Sequence, residues 1–167
     1  MKQRFMGSIV IMVTLSRLTS AQALLIDRAT PPFPTPSERK AADIASWATA
    51  IAAAALDTRA SWNDPQRLRA FERQGIRVGV VYGSAFLVKS LVHRSRPCAP
   101  ACGIDNPDYS FFSAHTALAF STLGGPRLAV DLPLTISTGG LRVAAGKHWL
   151  SDVLVGAGVG ALTSRIR

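Results

Sequence analysis

The apolar residues of this chain come in runs of roughly 10 to 15, each broken by Lys, Arg, Asp, Gly or Pro. None of these runs shows the alternation of a half-buried strand. A bilayer-spanning helix needs ~20 apolar residues in succession. Runs of this length and period suit helices in a soluble core instead, and they predict an all-α fold, a compact helical bundle. Hydrophobic residues make up 48% of the 167 and charged ones 17%, enough to build a core and too apolar for a disordered chain. The length fits one domain.

Local signals place the helices. Thr35-Pro36-Ser37-Glu38 offers a capping hydroxyl, a proline at the first helical position and a glutamate reaching back. Ile44, Trp47, Ile51 and Ala55 follow at helical spacing, so residues 36 to 57 are expected to form one amphipathic helix. Asp64-Pro65 opens a second pattern that runs toward Ser95 and stops before Pro97, with Gly75 and Gly79 as points of division. Its last part, Val78 to Val92, reads as a buried central helix. Residues 98 to 112 read as a loop and Ser113 to Leu123 as a short helix. Leu128 to Ser137 is expected to be kinked or irregular because of Pro133. Arg142 to His148 and Ser151 to Thr163 complete the helical portion, with Gly156, Gly158 and Gly160 allowing close packing.

Residues 1–23 read as a secretory leader: Lys2 and Arg4, an apolar run from Phe5 to Leu15, then Ala21-Gln22-Ala23 as a cleavage signal. Arg17 leaves open an uncleaved anchor. The expected organisation is a leader (1–23), a proline-rich extended arm (24–36) that is not a packed element, and one domain (37–167). Export to the periplasm or beyond follows from the leader. There Cys98 and Cys102, four apart, form a small-loop disulfide or remain two buried thiols; they lack the second ligand pair of a zinc site. Lys and Arg outnumber Asp and Glu by 19 to 10. That excess serves solubility or draws anionic partners. No nucleic-acid motif accompanies the charge, so nucleic acid is not an expected partner.

Three groups carry chemistry. Lys89 is followed after six residues by Arg96-Pro97, almost two helical turns on, so both cations are expected on one face. Lys89 lies inside the apolar run AFLVKSLV, where an unpaired charge is costly. Phe112-Ser113-Ala114-His115 opens a short helix whose free N–H groups suit an anion. Arg142, His148 and Asp152 follow, and the last two, four apart, share a helical face and are expected to hydrogen-bond. A carboxylate on one imidazole nitrogen frees the lone pair of the other.

In order and spacing these residues resemble the type-2 phosphatidic acid phosphatase and vanadium haloperoxidase superfamily, whose signature is K-x6-R-P, then P-S-G-H, then S-R-x5-H-x3-D. Lys89, Arg96, Pro97, Ser113, His115, Arg142, His148 and Asp152 match it; Phe112, Ala114 and Leu141 replace the family's proline, glycine and serine. The resemblance implies that family's helical bundle and a metal-independent phosphatase without cofactor. His148 would be the nucleophile, Asp152 its orienting carboxylate and His115 the general acid and base. Lys89, Arg96, Arg142, Ser113 and the Ala114 N–H would bind the phosphoryl oxygens.

The substrate class stays open between lipid phosphates, isoprenoid pyrophosphates and soluble phosphomonoesters. An anionic membrane is a peripheral partner on this reading, and the oligomeric state is unreadable. The alternatives are a vanadate-dependent haloperoxidase, a non-catalytic anion or lipid-headgroup module, and a zinc site built from His93, His115 and His148. His93 lines the pocket or serves structure. Trp47, Trp62 and Trp149 read as core or interface residues, and Trp149, Phe111 and Phe112 are also candidates for the pocket wall.

Overall fold

The computed structural model describes residues 25–99, 108–124 and 127–166. Six helices are found there: α1 (Leu25–Arg28), α2 (Pro36–Trp62), α3 (Arg67–Val92), α4 (Ala114–Ser121), α5 (Leu128–Ala144) and α6 (Leu150–Thr163). There is no strand among the described residues, and the all-α bundle expected from the sequence is the one observed. The leader, residues 1–23, lies outside the described residues.

The helix starts obey their local chemistry. Thr35 Oγ1 accepts from the Glu38 N–H at 3.3 Å while the Glu38 carboxylate accepts from the Thr35 N–H at 3.2 Å. That reciprocal cap launches α2, which runs past residue 57 to Trp62. α3 is continuous through Gly75 and Gly79. An isolated glycine costs about 1 kcal/mol in a helix and does not by itself end one. α5 likewise continues through Pro133, where a kink or irregular stretch was expected. The proline forfeits one hydrogen bond, and the following turns, packed against α2, carry the helix on.

The centre of the bundle is the shortest of the long elements, α4, which touches α2, α3, α5 and α6. Its Ala117 joins Phe112 and the Val81, Ala85, Val88 and Val92 face of α3 in the core. α6 presses on α4 along two glycines: a Cβ at Gly156 would stand 2.5 Å from Ser113 O, and one at Gly160 would overlap Ala117 O. Gly158 faces open space and plays no such part.

Which faces point inward departs from the sequence reading. On α2 the buried residues are Ala42, Ser46, Ala50, Ala53, Asp57 and Ser61, whereas Ile44 is 63% exposed and Trp47 and Ile51 are exposed with it. α3 is not the buried central helix: Phe86 is 77% exposed, and Val80, Leu87 and Leu91 also look outward. Leu132 and Ile136 of α5 and Leu154 of α6 extend this apolar exterior. Small side chains let the helices approach closely, and the large ones are left outside. α3 is also long and apolar enough to cross a membrane, the one such helix among the described residues.

The arm is a packed strap. The Phe33 N–H donates to Ala144 O at 2.8 Å, and Arg39 Nη1 donates to the carbonyls of Phe33 and Pro34. Pro32 lies against Gly146, whose φ of +68° and tight contact with the Cys98 Cβ leave no room for a side chain. Prolines have no N–H to satisfy, so a strap rich in them can bind through its few remaining donors and its carbonyls. Cys98 is disulfide-bonded; Cys102 lies outside the described residues.

Candidate active site

The last turn of α3, the first turns of α4 and α6 and the last turn of α5 meet at one end of the bundle, and the sequence-selected residues gather there. Lys89 Nζ donates to Tyr109 O at 2.6 Å and reaches Ser110 O at 3.4 Å. α3 ends at Val92, with His93 at φ +46°. Arg96 therefore extends from a loop, not from the helical face it was expected to share with Lys89. Its Nη2 lies 3.4 Å from the same Tyr109 carbonyl, and its Nη1 donates to Lys147 O at 2.9 Å. Convergence of the two cations is achieved by a bend of the chain. Burial lowers the Arg96 pKa.

Arg142, buried in the last turn of α5, donates through Nη1 to Asp43 Oδ1 at 2.5 Å and to Ser46 Oγ at 3.3 Å, both on α2. Its Nε is buried without a hydrogen-bond partner. Asp43 Oδ2 also lies 3.5 Å from Lys147 Nζ.

His148 sits in the turn before α6, and this corrects the expected direct bond to Asp152. Its Nδ1 lies 2.7 Å from the carbonyl oxygen of Ser110, while Asp152 Oδ2 is 3.9 Å away. A carbonyl can only accept, so Nδ1 carries the proton and the lone pair is on Nε2. Asp152, fully buried, is held by Ser110 Oγ at 2.5 Å, the Trp149 N–H at 2.9 Å and Arg94 Nη1 at 2.5 Å. Asp152 and His148 are thus both bonded to Ser110, the carboxylate to its hydroxyl and the imidazole to its carbonyl. Burial pushes the His148 pKa down to about 3, with Arg142 and Lys89 adding to it against the pull of Asp152.

His115, in the first turn of α4, has Trp47 edge-on at 4.2 Å, and its Nε2 is buried with no hydrogen-bond partner. Its pKa falls to about 4, first through burial and then through the Arg142 charge. Ser113 caps α4: its Oγ accepts from the Thr116 hydroxyl at 2.9 Å and its N–H donates to Asp152 O at 3.1 Å. Ala114 follows it as the first residue of the helix.

Other candidates lie at the margin. His93 is exposed, stacks edge-on against Tyr109 and caps α3, a structural role. Trp149 donates from Nε1 to Ser95 O and lies beneath Arg94. Phe112 is core; Trp62 is exposed and packs on Phe71. Trp47, read as core or interface, instead walls the site. No group of three His, Cys, Asp or Glu able to hold a metal ion occurs among the described residues, which removes the zinc reading of His93, His115 and His148 there. Asp43, Ser110, Arg94 and Asp27 were missed because each stands alone in the sequence, with no spacing to mark it.

This end of the all-helical bundle brings Lys89, Arg96 and Arg142 together beside two histidines, His148 buried and His115 partly buried. Over 109 residues the chain is 35% identical to decaprenylphosphoryl-5-phosphoribose phosphatase of Mycobacterium tuberculosis, in strains CDC 1551/Oshkosh and ATCC 25618/H37Rv alike. The match covers 61% of this chain and 62% of the relative, so the chain spans about three fifths of the length of the curated relatives it matches. No family model and no solved structure matches it.

Proposed function

We propose that the chain is a metal-independent phosphatase that cleaves a lipid-borne phosphate ester through a phosphohistidine. The observation that carries this reading is the Nδ1 hydrogen bond of His148 to Ser110 O, which leaves a neutral imidazole with its Nε2 lone pair free beside Lys89 and Arg142. Nε2 attacks phosphorus and the ester P–O bond breaks. The proton of His115 goes to the leaving oxygen. Water then attacks the phosphohistidine, His115 takes a proton from it, and the P–N bond breaks to return neutral His148. Lys89, Arg96 and Arg142 neutralise the equatorial oxygens, the part a divalent ion plays elsewhere, with Ser113 and the Ala114 N–H beside them. Of the four buried side-chain atoms without a hydrogen-bond partner among the described residues, the two at this end, His115 Nε2 and Arg142 Nε, belong to side chains given to the ester oxygens; the other two are the Asp131 oxygens at the far end.

The lipid character of the substrate is supported by the exterior. Ile44, Trp47 and Ile51 form one exposed stripe along α2, and Trp47 touches His115, the group on the leaving-oxygen side. An apolar leaving group fits that stripe. The wider apolar exterior of α2, α3, α5 and α6, with Phe86, Leu87, Leu91, Ile136 and Leu154 exposed, suits acyl chains. The name of the mycobacterial relatives, which specifies a decaprenyl phosphate ester, agrees with this class.

The test is phosphate release by the purified full chain in phospholipid vesicles, from a polyprenyl-linked phosphate ester and from a soluble aryl phosphate, with and without chelator. Release from both, faster from the lipid and unchanged by chelator, is expected, together with an acid-labile, alkali-stable phosphoryl label on His148. Turnover that needs a divalent ion, or a label on another residue, overturns the mechanism.

A further inference from the structure

Asp27 belongs to the strap, far in sequence from every residue given a chemical role above, yet it is 1% exposed and fully engaged. Its Oδ1 accepts from the Ser151 N–H at 2.8 Å; its Oδ2 accepts from Ser151 Oγ at 2.9 Å and from Arg94 Nη2 at 2.7 Å. Arg94, 4% exposed, uses its other nitrogen on Asp152 Oδ1 at 2.5 Å and on Ser151 Oγ at 2.7 Å. The opposite oxygen of Asp152 takes the Ser110 hydroxyl, and the Ser110 carbonyl takes His148 Nδ1.

A chain of buried hydrogen bonds therefore runs from Asp27 through Arg94 and Asp152 to the Ser110 hydroxyl, and the carbonyl of that same residue holds the imidazole. Each link is charged or short, and Arg94 is a planar fork whose two ends are fixed by two different carboxylates. With Asp27 removed, Arg94 is held only through Nη1, by Asp152 and Ser151, and its guanidinium can turn about that end. Asp152 and Ser110 then lose the constraint that sets the His148 ring.

We infer that Asp27 is a positioning residue for the reaction, acting through Arg94 and Ser151 on Asp152, so that the N-terminal strap is part of the catalytic apparatus. This rests on the phosphohistidine reading above. A residue that only glued the strap down would affect stability alone. A residue that sets the nucleophile affects kcat, because a misplacement of about 1 Å at the reacting atom can cost ~10²-fold.

The experiment compares the full chain with Asp27→Asn, Asp152→Asn and the double variant, each verified as folded by circular dichroism, reading kcat and KM separately. Asp27→Asn is expected to lower kcat by about 10-fold with KM within about threefold. The double variant should be no slower than Asp152→Asn alone, since both act on one path. Wild-type kcat in folded Asp27→Asn, or losses that multiply in the double variant, overturns the inference. Should Asp27→Asn not fold, Ser151→Ala removes one hydroxyl between Asp27 and Arg94; a kcat drop of about threefold at steady KM supports the path, and an unchanged kcat refutes it. A wild-type chain that releases no phosphate overturns the phosphatase reading, and the positioning role with it. An active wild type with an indifferent Asp27 overturns the positioning role alone.

Discussion

The two ends of the bundle contain the same kinds of residue and differ in what those residues are bonded to. At the end opposite the histidines, Asp57, Asp64, Arg73, Arg77 and Arg127 line a cavity of about 330 Å³. There the arginines meet carboxylates: Arg77 lies 2.6 Å from Asp57, Arg127 lies 3.7 Å from Asp57 and 3.5 Å from Asp131, and Arg73 lies 3.9 Å from Asp64. At the histidine end Lys89 is held by the carbonyls of Tyr109 and Ser110, while Arg142 has a close carboxylate, Asp43. Carbonyl dipoles fix a cation without cancelling its charge, whereas a carboxylate cancels it. Arginines around a hollow therefore say little about an anion site until their partners are known.

Four experiments sharpen or break this contrast. The largest effect is expected for His148→Ala, which should lower kcat more than a hundredfold while leaving the circular dichroism spectrum unchanged; residual turnover above about a hundredth of wild type removes His148 as sole nucleophile. Next, Arg142→Gln should cost about 10²-fold in kcat/KM, and Arg77→Gln at the far cavity should leave kcat/KM within about twofold. Equal losses at both ends would abolish the distinction.

The third is a pH profile. In the free protein His148 must be neutral, with a pKa of about 3, and His115 protonated, with a pKa of about 4. The kcat/KM profile should therefore be a bell at acidic pH, its alkaline limb set by loss of the His115 proton. Bound phosphoryl oxygens favour the imidazolium, so the alkaline limb of kcat should lie at higher pH than that of kcat/KM. Coincident limbs would show that the substrate's charge does not reach His115. The smallest effect concerns stability. Arg77→Gln breaks a mostly buried ion pair and should lower unfolding free energy by about 3 kcal/mol, while Arg73→Gln, at a partly exposed 3.9 Å pair, should change it by less than about 0.5 kcal/mol in urea titrations.

The helices were legible in the sequence because their ends are local: the Thr35 and Glu38 cap and the Ser113 cap need only neighbouring residues. The set at 89, 96, 113, 115, 142, 148 and 152 was picked out by its resemblance to a family signature, and the structure gathers it at one end. The direction of the faces was not. A stripe such as Ile44, Trp47 and Ile51 shows that a helix has two sides, but periodicity carries no information on which side meets protein. The His148 to Asp152 bond was misread because residue 148 precedes the helix, where four-residue spacing no longer brings side chains together. Asp43 and Asp27 reach Arg142 and Arg94 across 99 and 67 residues, separations that no local pattern encodes.

The bare seam between α6 and α4 leaves the turn that carries His148 vulnerable from behind. Asp152 and the turn bearing His148 ride on the start of α6, and Gly156 lies one turn further along, where its missing methyl group lets that helix rest on the Ser113 carbonyl. An alanine there would press the helix outward and strain the bond from the Ser113 N–H to Asp152 O, with every side chain of the site chemically unchanged. If His148 is the nucleophile proposed above, its setting thus depends on a hydrogen atom at the back of the helix, where a single CH₃ would disturb it.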